Sequence, residues 1–454
     1  MHINLPDAVL KVLSALARAG HEAYLVGGCV RDAYLGRPAG DVDIATSALP
    51  QEMQAIFSDY KTIPTGLAHG TLTLLIDGQA LEVTTYRTDG EYTDHRRPDS
   101  VRFVRSLTED LARRDFTVNA MAWHPDQGLK DPFSGRADCD ARLLRAVGEP
   151  ARRFQEDALR ILRALRFACQ LGFQIESNTL KAMMDQASGL HFVSQERVAQ
   201  ELNRALVGEY VEQALRAYPQ VLFMALPELR PMLHTPQRTR FHRYDVWEHT
   251  LHTLAASPPD TAIRWAALYH DSGKPHTTDI QPDGSTRFRG HERISARLMD
   301  EAMLRLKQSK ALREQTVTLV KYHDERIGPD NLKVWMSRLG LQTTLKLLRL
   351  QRADLAAHAD IVHHRLPQID LLYEEALRLQ QEGAPLHIRD LQVDGNDLMQ
   401  LGFEANETLG HALSHLLSMV LHGQLENIKE DLLAEARAWL LAKKREKAQL
   451  EQDG

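Results

Sequence analysis

Apolar and polar residues follow two different rhythms along this chain, and the change of rhythm divides it. Up to about residue 125, short β-branched runs such as Thr71 to Ile76 and Leu81 to Tyr86 lie between Gly and Asp turns, with helical segments around them. That pattern predicts a small α/β head built on a mixed sheet with helices. From about Arg145 onward the period is helical, rich in Ala, Leu, Glu, Lys and Arg, with Pro or Gly at the breaks. An elongated all-α remainder is expected. Its 454 residues exceed what one core organises, so four units are predicted: 1–140, 141–230, 231–355 and 356–454.

Within the head, Tyr24-Leu25-Val26-Gly27-Gly28-Cys29-Val30-Arg31-Asp32 predicts a strand, a glycine turn and a helix. The glycine pair lets backbone N–H groups approach a phosphate, with Gly28 closest and Arg31 adding charge in the first helical turn. The next strand is predicted over Gly40 to Ala45. Residues two apart in a strand share a side, so Asp41 and Asp43 should project together while Val42 and Ile44 face the core. Two parallel carboxylates repel unless a divalent cation lies between them, and Mg²⁺ takes one or two carboxylates plus substrate phosphate oxygens. Glu82, alternating with apolar neighbours in Ala80 to Thr84, is the candidate third carboxylate.

Farther on, Arg153 to Cys169 predicts one helix. Ala158, Ile161, Leu162, Leu165, Ala168 and Cys169 form its apolar face, and Arg153, Asp157, Arg160 and Arg163 lie opposite. Such a row reads either as exposed ion pairs or as a base reader. A carboxylate accepts from the exocyclic amine of cytosine or adenine while a guanidinium donates to the neighbouring acceptor. Uracil and guanine reverse that order.

Composition narrows the class. A net charge of −6 argues weakly against nucleic acid, yet basic residues cluster at Arg96/Arg97, Arg113/Arg114, Arg152 to Arg166, Arg238 to Arg243 and Lys443 to Lys447. Cys29, Cys139 and Cys169 are too few and scattered for a disulfide framework or thiolate metal site. No apolar run approaches the ~20 residues of a membrane helix, and Met1 to Leu10 lacks a secretory pattern, so a cytoplasmic protein without membrane partners is expected.

Leu25 to Ala45 resembles the nucleotidyltransferase superfamily in its class II CCA-adding and poly(A) polymerase branch. Glu109 to Ala120, Asp131 to Gly135 and Glu156 to Arg160 resemble that branch's later motifs, in order. The resemblance implies Mg²⁺ on Asp41 and Asp43, CTP and ATP as substrates, and tRNA as the acceptor. It implies base reading by Asp157 and Arg160, with Arg114, Arg163 and Arg166 around the bound nucleotide. Pro64 to Leu72 looks like the CCA-adding version and lacks the Arg-rich stretch of poly(A) polymerases. Asp89 to Pro98 resembles the loop kept by enzymes that add the terminal A. Full CCA addition is expected; A-only addition, poly(A) synthesis and an RNA-binding scaffold with degenerate sites are the alternatives.

A second set of motifs follows: His249, the doublet His270-Asp271, His291, His323 and Asp354. Their order resembles the HD superfamily of metal-dependent phosphohydrolases. The resemblance implies one metal on His249, His270, Asp271 and Asp354, a second position completed by His291 and His323, and hydrolysis of phosphate esters, an activity that could also be the main one. The metal can be Mn²⁺, Ni²⁺, Fe²⁺ or Mg²⁺. His387 to Met399 opens the final unit, which resembles the tRNA-contacting tail of long CCA-adding enzymes. The sequence leaves the oligomeric state open.

Overall fold

The structure, a computed structural model, describes residues 3, 5–38, 40–64, 66–90 and 101–452. The basic pair Arg96/Arg97 and most of the Asp89 to Pro98 loop lie outside the described residues. The chain forms two compact units, one over Met1–Arg230 with Arg305–Gln308, the other over Pro231–Leu304 with Ser309–Gly454.

A seven-stranded sheet organises the head. From edge to edge its strands are Lys61–Ile63, Thr71–Ile76, Gln79–Thr85, Asp43–Thr46, Ala23–Val26, Ala122–His124 and Gly128–Lys130. Only the central pair, Asp43–Thr46 beside Gln79–Thr85, runs parallel; the other neighbours are antiparallel. Period-2 burial in Thr71–Ile76 puts Leu72, Leu74 and Ile76 inside, as the alternation predicts. Ala23–Val26 is buried on both faces, which is why it reads as a continuous apolar run.

The remainder of the first unit is helical, and here one predicted element divides. Arg153 to Cys169 is not one helix: Pro150–Glu156 ends at Asp157, whose φ of −144° and ψ of 101° are extended, and Leu159–Leu171 begins beyond it. The polar row is partly interior: Arg153 and Arg160 are each 8% exposed, as is Arg166 nearby, while Asp157 and Arg163 are half-buried. Backbone carbonyls and the Glu156 carboxylate satisfy the Arg153 and Arg160 guanidiniums, so their burial costs less than composition suggests.

In the second unit, long helices carry Ala- and Leu-rich faces. The boundary expected after residue 355 falls inside the helix Leu341–Ala357. One core there joins Leu332, Met336, Leu345 and Leu348 to Leu372, Ala376 and Leu421, so no separate unit starts at that point. The tail has its own core around Leu398, Phe403, Leu416 and Leu432. No helix among the described residues is long and apolar enough to cross a membrane.

Candidate nucleotidyltransferase and metal sites

The carboxylates of the head meet at the start of the central strand. Asp43 is its first residue and pairs in register with Glu82 on the neighbouring strand, so both side chains leave the sheet side by side. Asp41 lies two residues before the strand, in a bend rather than inside the strand as predicted. Asp43 is exposed at the strand's end, yet its pKa is raised: partial desolvation pushes it up, Arg114 draws it down, and Glu82 and Asp41 push it up again. Three carboxylates opposing one another beside a single guanidinium form a donor set that suits a hard divalent cation.

Gly27 adopts φ 79° directly before the helix Gly28–Tyr34, and a side chain there would come within 2.9 Å of Arg114 Nη1. The turn therefore brings bare backbone to Arg114, whose buried Nε has no hydrogen-bond partner. An unpaired guanidinium N–H beside a glycine turn is a ready donor for an anion. Arg31 is itself engaged by protein groups. It is 7% exposed and donates to Asn119 Oδ1 at 2.6 Å and to Asp32.

Asp115 is the hub behind these groups. It accepts from Asn119 at 3.1 Å and from Arg163 Nε at 2.7 Å. Burial opposes its charge, but Arg163, Asn119 and Arg160 outweigh burial and hold its pKa below the usual carboxylate range. Asp110 behaves similarly, with Arg113 and Arg114 overcoming burial. Arg166 lies 2.7 Å from Glu201, too bent for a hydrogen bond, and packs 4.1 Å from the centre of the Phe167 ring.

Acid sensitivity is expected from the depressed pKa values of Asp115 and Asp110. Their stabilisation is complete above the unfolded carboxylate pKa of about 3.9 and fades as pH falls toward the depressed folded values. The melting temperature should be flat down to about pH 5 and drop below about pH 4. In Asp115→Asn the acid limb of this curve, followed by circular dichroism, should be shallower; an identical limb would show that Asp115 contributes nothing.

At the helix break, Asp157 caps the following turn, accepting from the Leu159 backbone N–H at 3.1 Å. Its other oxygen pairs with Arg197 Nη2 at 2.8 Å. Arg160 does not pair with Asp157. Its guanidinium donates to the carbonyls of Arg153 and Arg113, each at 2.9 Å, and to Glu156 at 2.8 Å. Sequence reasoning missed Arg197 and Glu201, which lie on the helix Gln195–Leu206 some forty residues away. Their i, i+4 spacing on a helix of high polar content was the available signal.

In the second unit six predicted ligands come together. His249 Nε2 lies 2.8 Å from Asp354 Oδ1, and His270 Nε2 lies 3.3 Å from His249 Nε2 and 3.3 Å from Asp271 Oδ2. On the other side, Asp271 Oδ1 is 3.3 Å from His291 Nε2 and 3.8 Å from His323 Nε2, which are themselves 3.3 Å apart. The two oxygens of Asp271 thus face two histidine pairs, the arrangement of a bridging carboxylate. His358, not singled out in the sequence, adds a third edge with His249 and Asp354. Its i, i+4 relation to Asp354 near the end of the helix was the missed sign.

Local structure explains the aim of these rings. His270 and His323 occupy helix C-caps and give Nδ1 to the carbonyls of Ala267 and Val320 three residues earlier, at 2.8 and 2.7 Å. His291, the first residue of its helix, gives Nδ1 to the Phe288 carbonyl just before it at 2.8 Å. Helix C-termini leave the Ala267 and Val320 carbonyls open, and a carbonyl on Nδ1 fixes the tautomer of all three rings with Nε2 lone pairs pointing inward. Facing lone pairs repel without a cation. Burial, helped by His270 and His291, pushes the His323 pKa down to about 3, keeping it neutral and suited to ligation. Burial opposes charge on His270 as well, but Asp271 and Asp354 win and push it up to about 10. Those carboxylates draw a cation, proton or metal, to its Nε2.

Three sequence families match in chain order: a poly A polymerase head domain over residues 23–145, a probable RNA- and SrmB-binding site of polymerase A over 172–229, and a putative tRNA nucleotidyltransferase domain 2 over 294–436. A CCA-adding enzyme of Geobacillus thermodenitrificans is 37% identical over 96% of each chain. This chain is a CCA-adding enzyme by family. Another member of the family, from Limosilactobacillus fermentum, is 36% identical over 95% of this chain and 96% of its own. Among solved members, the Bacillus stearothermophilus CCA-adding enzyme in complex with CTP superposes with a TM-score of 0.73 at 30% identity, covering 98% of each chain. The Thermotoga maritima CCA-adding enzyme complexed with tRNA shares the fold, with a TM-score of 0.58 at 19% identity and 96% of each chain covered. The mixed-sheet head followed by helices is the fold of CCA-adding enzymes.

Proposed function

We propose that this chain completes the 3′ end of tRNA with CCA, using CTP and ATP and releasing pyrophosphate. The observation that carries the reading is the meeting of Asp43 and Glu82 in register beside Arg114 and the bare Gly27 turn, in a chain of the CCA-adding family. Asp41, Asp43 and Glu82 would hold Mg²⁺, which when bound activates the RNA 3′-hydroxyl and offsets triphosphate charge. Arg114 and the Gly27-Gly28 backbone bind phosphate oxygens, while Arg163 and Arg166 keep the reader helix against Asp115 and Glu201. Asp157 accepts from the base amine. Arg160, held by two carbonyls, keeps its Nε to donate to the neighbouring ring acceptor. Purified protein, tRNA lacking its last three nucleotides, CTP and ATP should give a product ending in CCA on sequencing. A product ending in A alone or in a run of A would replace this reading with A-only addition or poly(A) synthesis.

A second activity is favoured by the histidine and aspartate cluster. Inward Nε2 atoms, those of His270, His291 and His323 backed by a carbonyl on the far nitrogen, and a carboxylate with one oxygen toward each pair fit two divalent ions of the Mn²⁺, Ni²⁺, Fe²⁺ or Mg²⁺ kind. Bound metal would supply a nucleophilic hydroxide for phosphate-ester hydrolysis. Wild-type protein with Mn²⁺ should hydrolyse bis(p-nitrophenyl) phosphate, and His270→Ala or EDTA treatment should reduce the rate at least about a hundredfold. Equal rates in wild type and variant would remove this activity.

A further inference from the structure

One side of the histidine and aspartate cluster, His323 and Asp354, forms wall shared by two cavities in the second unit. One, of about 370 Å³, is lined by Phe288, Arg289 and Lys274; the other, of about 330 Å³, by Phe241, Arg326 and Arg365. Both include His323, Asp354 and His358. A third cavity of about 990 Å³ continues past Arg326 and Arg365. Each flanking chamber therefore offers an aromatic ring and at least one guanidinium. The Arg289, Arg326 and Arg365 side chains make no ion pair or hydrogen bond among the described residues. Phe241 is 40% exposed, with its backbone carbonyl anchored by the Ala359 N–H.

Resting on the hydrolase reading above, we infer that this centre cleaves an internal phosphodiester of a single-stranded nucleic acid, with one base stacked on Phe288 and another on Phe241. Aromatic platforms interleaved with guanidiniums are how proteins hold single strands without reading sequence. A phosphomonoester or a terminal cyclic phosphate has an organic group on one side only and would leave one ring and its cation unused. A diester between two nucleosides fills both chambers, and the next phosphates reach the unpaired arginines. In the step itself, a water oxygen bonds to phosphorus, the bond from phosphorus to one ribose oxygen breaks, and that oxygen takes a proton. The products are a monoester and an alcohol.

Charge makes the binding depend on metal. Counting lysines and arginines against carboxylates, the Phe288 chamber has three cations against four carboxylates, and the Phe241 chamber two against three. One divalent ion reverses either balance, so a polyanion is admitted only to the metal-loaded protein.

The test uses the full chain with Mn²⁺, a single-stranded RNA hexanucleotide containing 4-thiouridine, 2′,3′-cyclic CMP and bis(p-nitrophenyl) phosphate. Phe241→Ala and Phe288→Ala should each raise the KM for the hexanucleotide about tenfold. At most one of them should matter for cyclic CMP. Photocross-links should map by mass spectrometry to the peptides carrying Phe241 and Phe288 and disappear in EDTA. If bis(p-nitrophenyl) phosphate and cyclic CMP are hydrolysed while the hexanucleotide is neither cleaved nor cross-linked there, the two-sided substrate is wrong and the hydrolase stands. If no substrate is hydrolysed faster by wild type than by His270→Ala, the hydrolase reading itself fails.

Discussion

Asp41→Ala is expected to lower nucleotide addition on the order of a thousandfold while leaving the melting curve unchanged. Asp41 is exposed, lies before the central strand, and makes no hydrogen bond among the described residues, so its removal takes nothing from packing. Its value lies in charge beside Asp43 and Glu82. Asp43→Asn should be equally inactive and no less stable, because partial desolvation and the Glu82 and Asp41 carboxylates alongside disfavour the Asp43 charge in the folded state. A site that is strained for function is relieved when function is removed. Single-turnover addition of labelled CMP to tRNA lacking its last three nucleotides checks this. A rate for Asp41→Ala within about tenfold of wild type would mean that a few kcal/mol of catalysis come from elsewhere.

Asp157→Ala carries the second large effect, on selection. Without its carboxylate the amine of C or A loses its acceptor, and uracil no longer meets a mismatched one. Each unpaired polar group costs ~1–3 kcal/mol, so the preference for CTP over UTP should fall roughly 5- to 150-fold. Competition of CTP and UTP for one primer, read by sequencing, measures the ratio. Arg197→Met separates positioning from reading: it frees the carboxylate at 2.8 Å from its partner, so KM should rise for CTP and ATP together while the CTP to UTP ratio holds. An unchanged ratio in Asp157→Ala would move base reading away from this residue.

Much of the head was legible because its signals are local. A strand, a glycine pair and an early-helix arginine occur within nine residues, and the carboxylates of Asp41 and Asp43 lie two apart. The histidine ligands were legible as motifs, though the ring aim depends on helix-end carbonyls that no spacing states. What escaped was set by distant partners. The break at Asp157 has no Pro or Gly to mark it, and the carboxylate that stops the helix is itself an ordinary member of the polar row. Arg153 and Arg160 could be read as solvent-facing because charge is usually outside; the carbonyls of Ala112, Arg153 and Arg113 and the Glu156 carboxylate make the interior acceptable. His358 and Arg197 needed three-dimensional neighbours to stand out.

The chain of contacts from Arg31 through Asn119 and Asp115 to Arg163 joins the glycine-turn helix to the reader helix through a single carboxylate. Changes along it should therefore be epistatic: once Asp115 is lost, a further change at Arg31 or Arg163 ought to do less harm than it does alone. A homologue differing at any of these four positions should therefore carry a compensating difference at another.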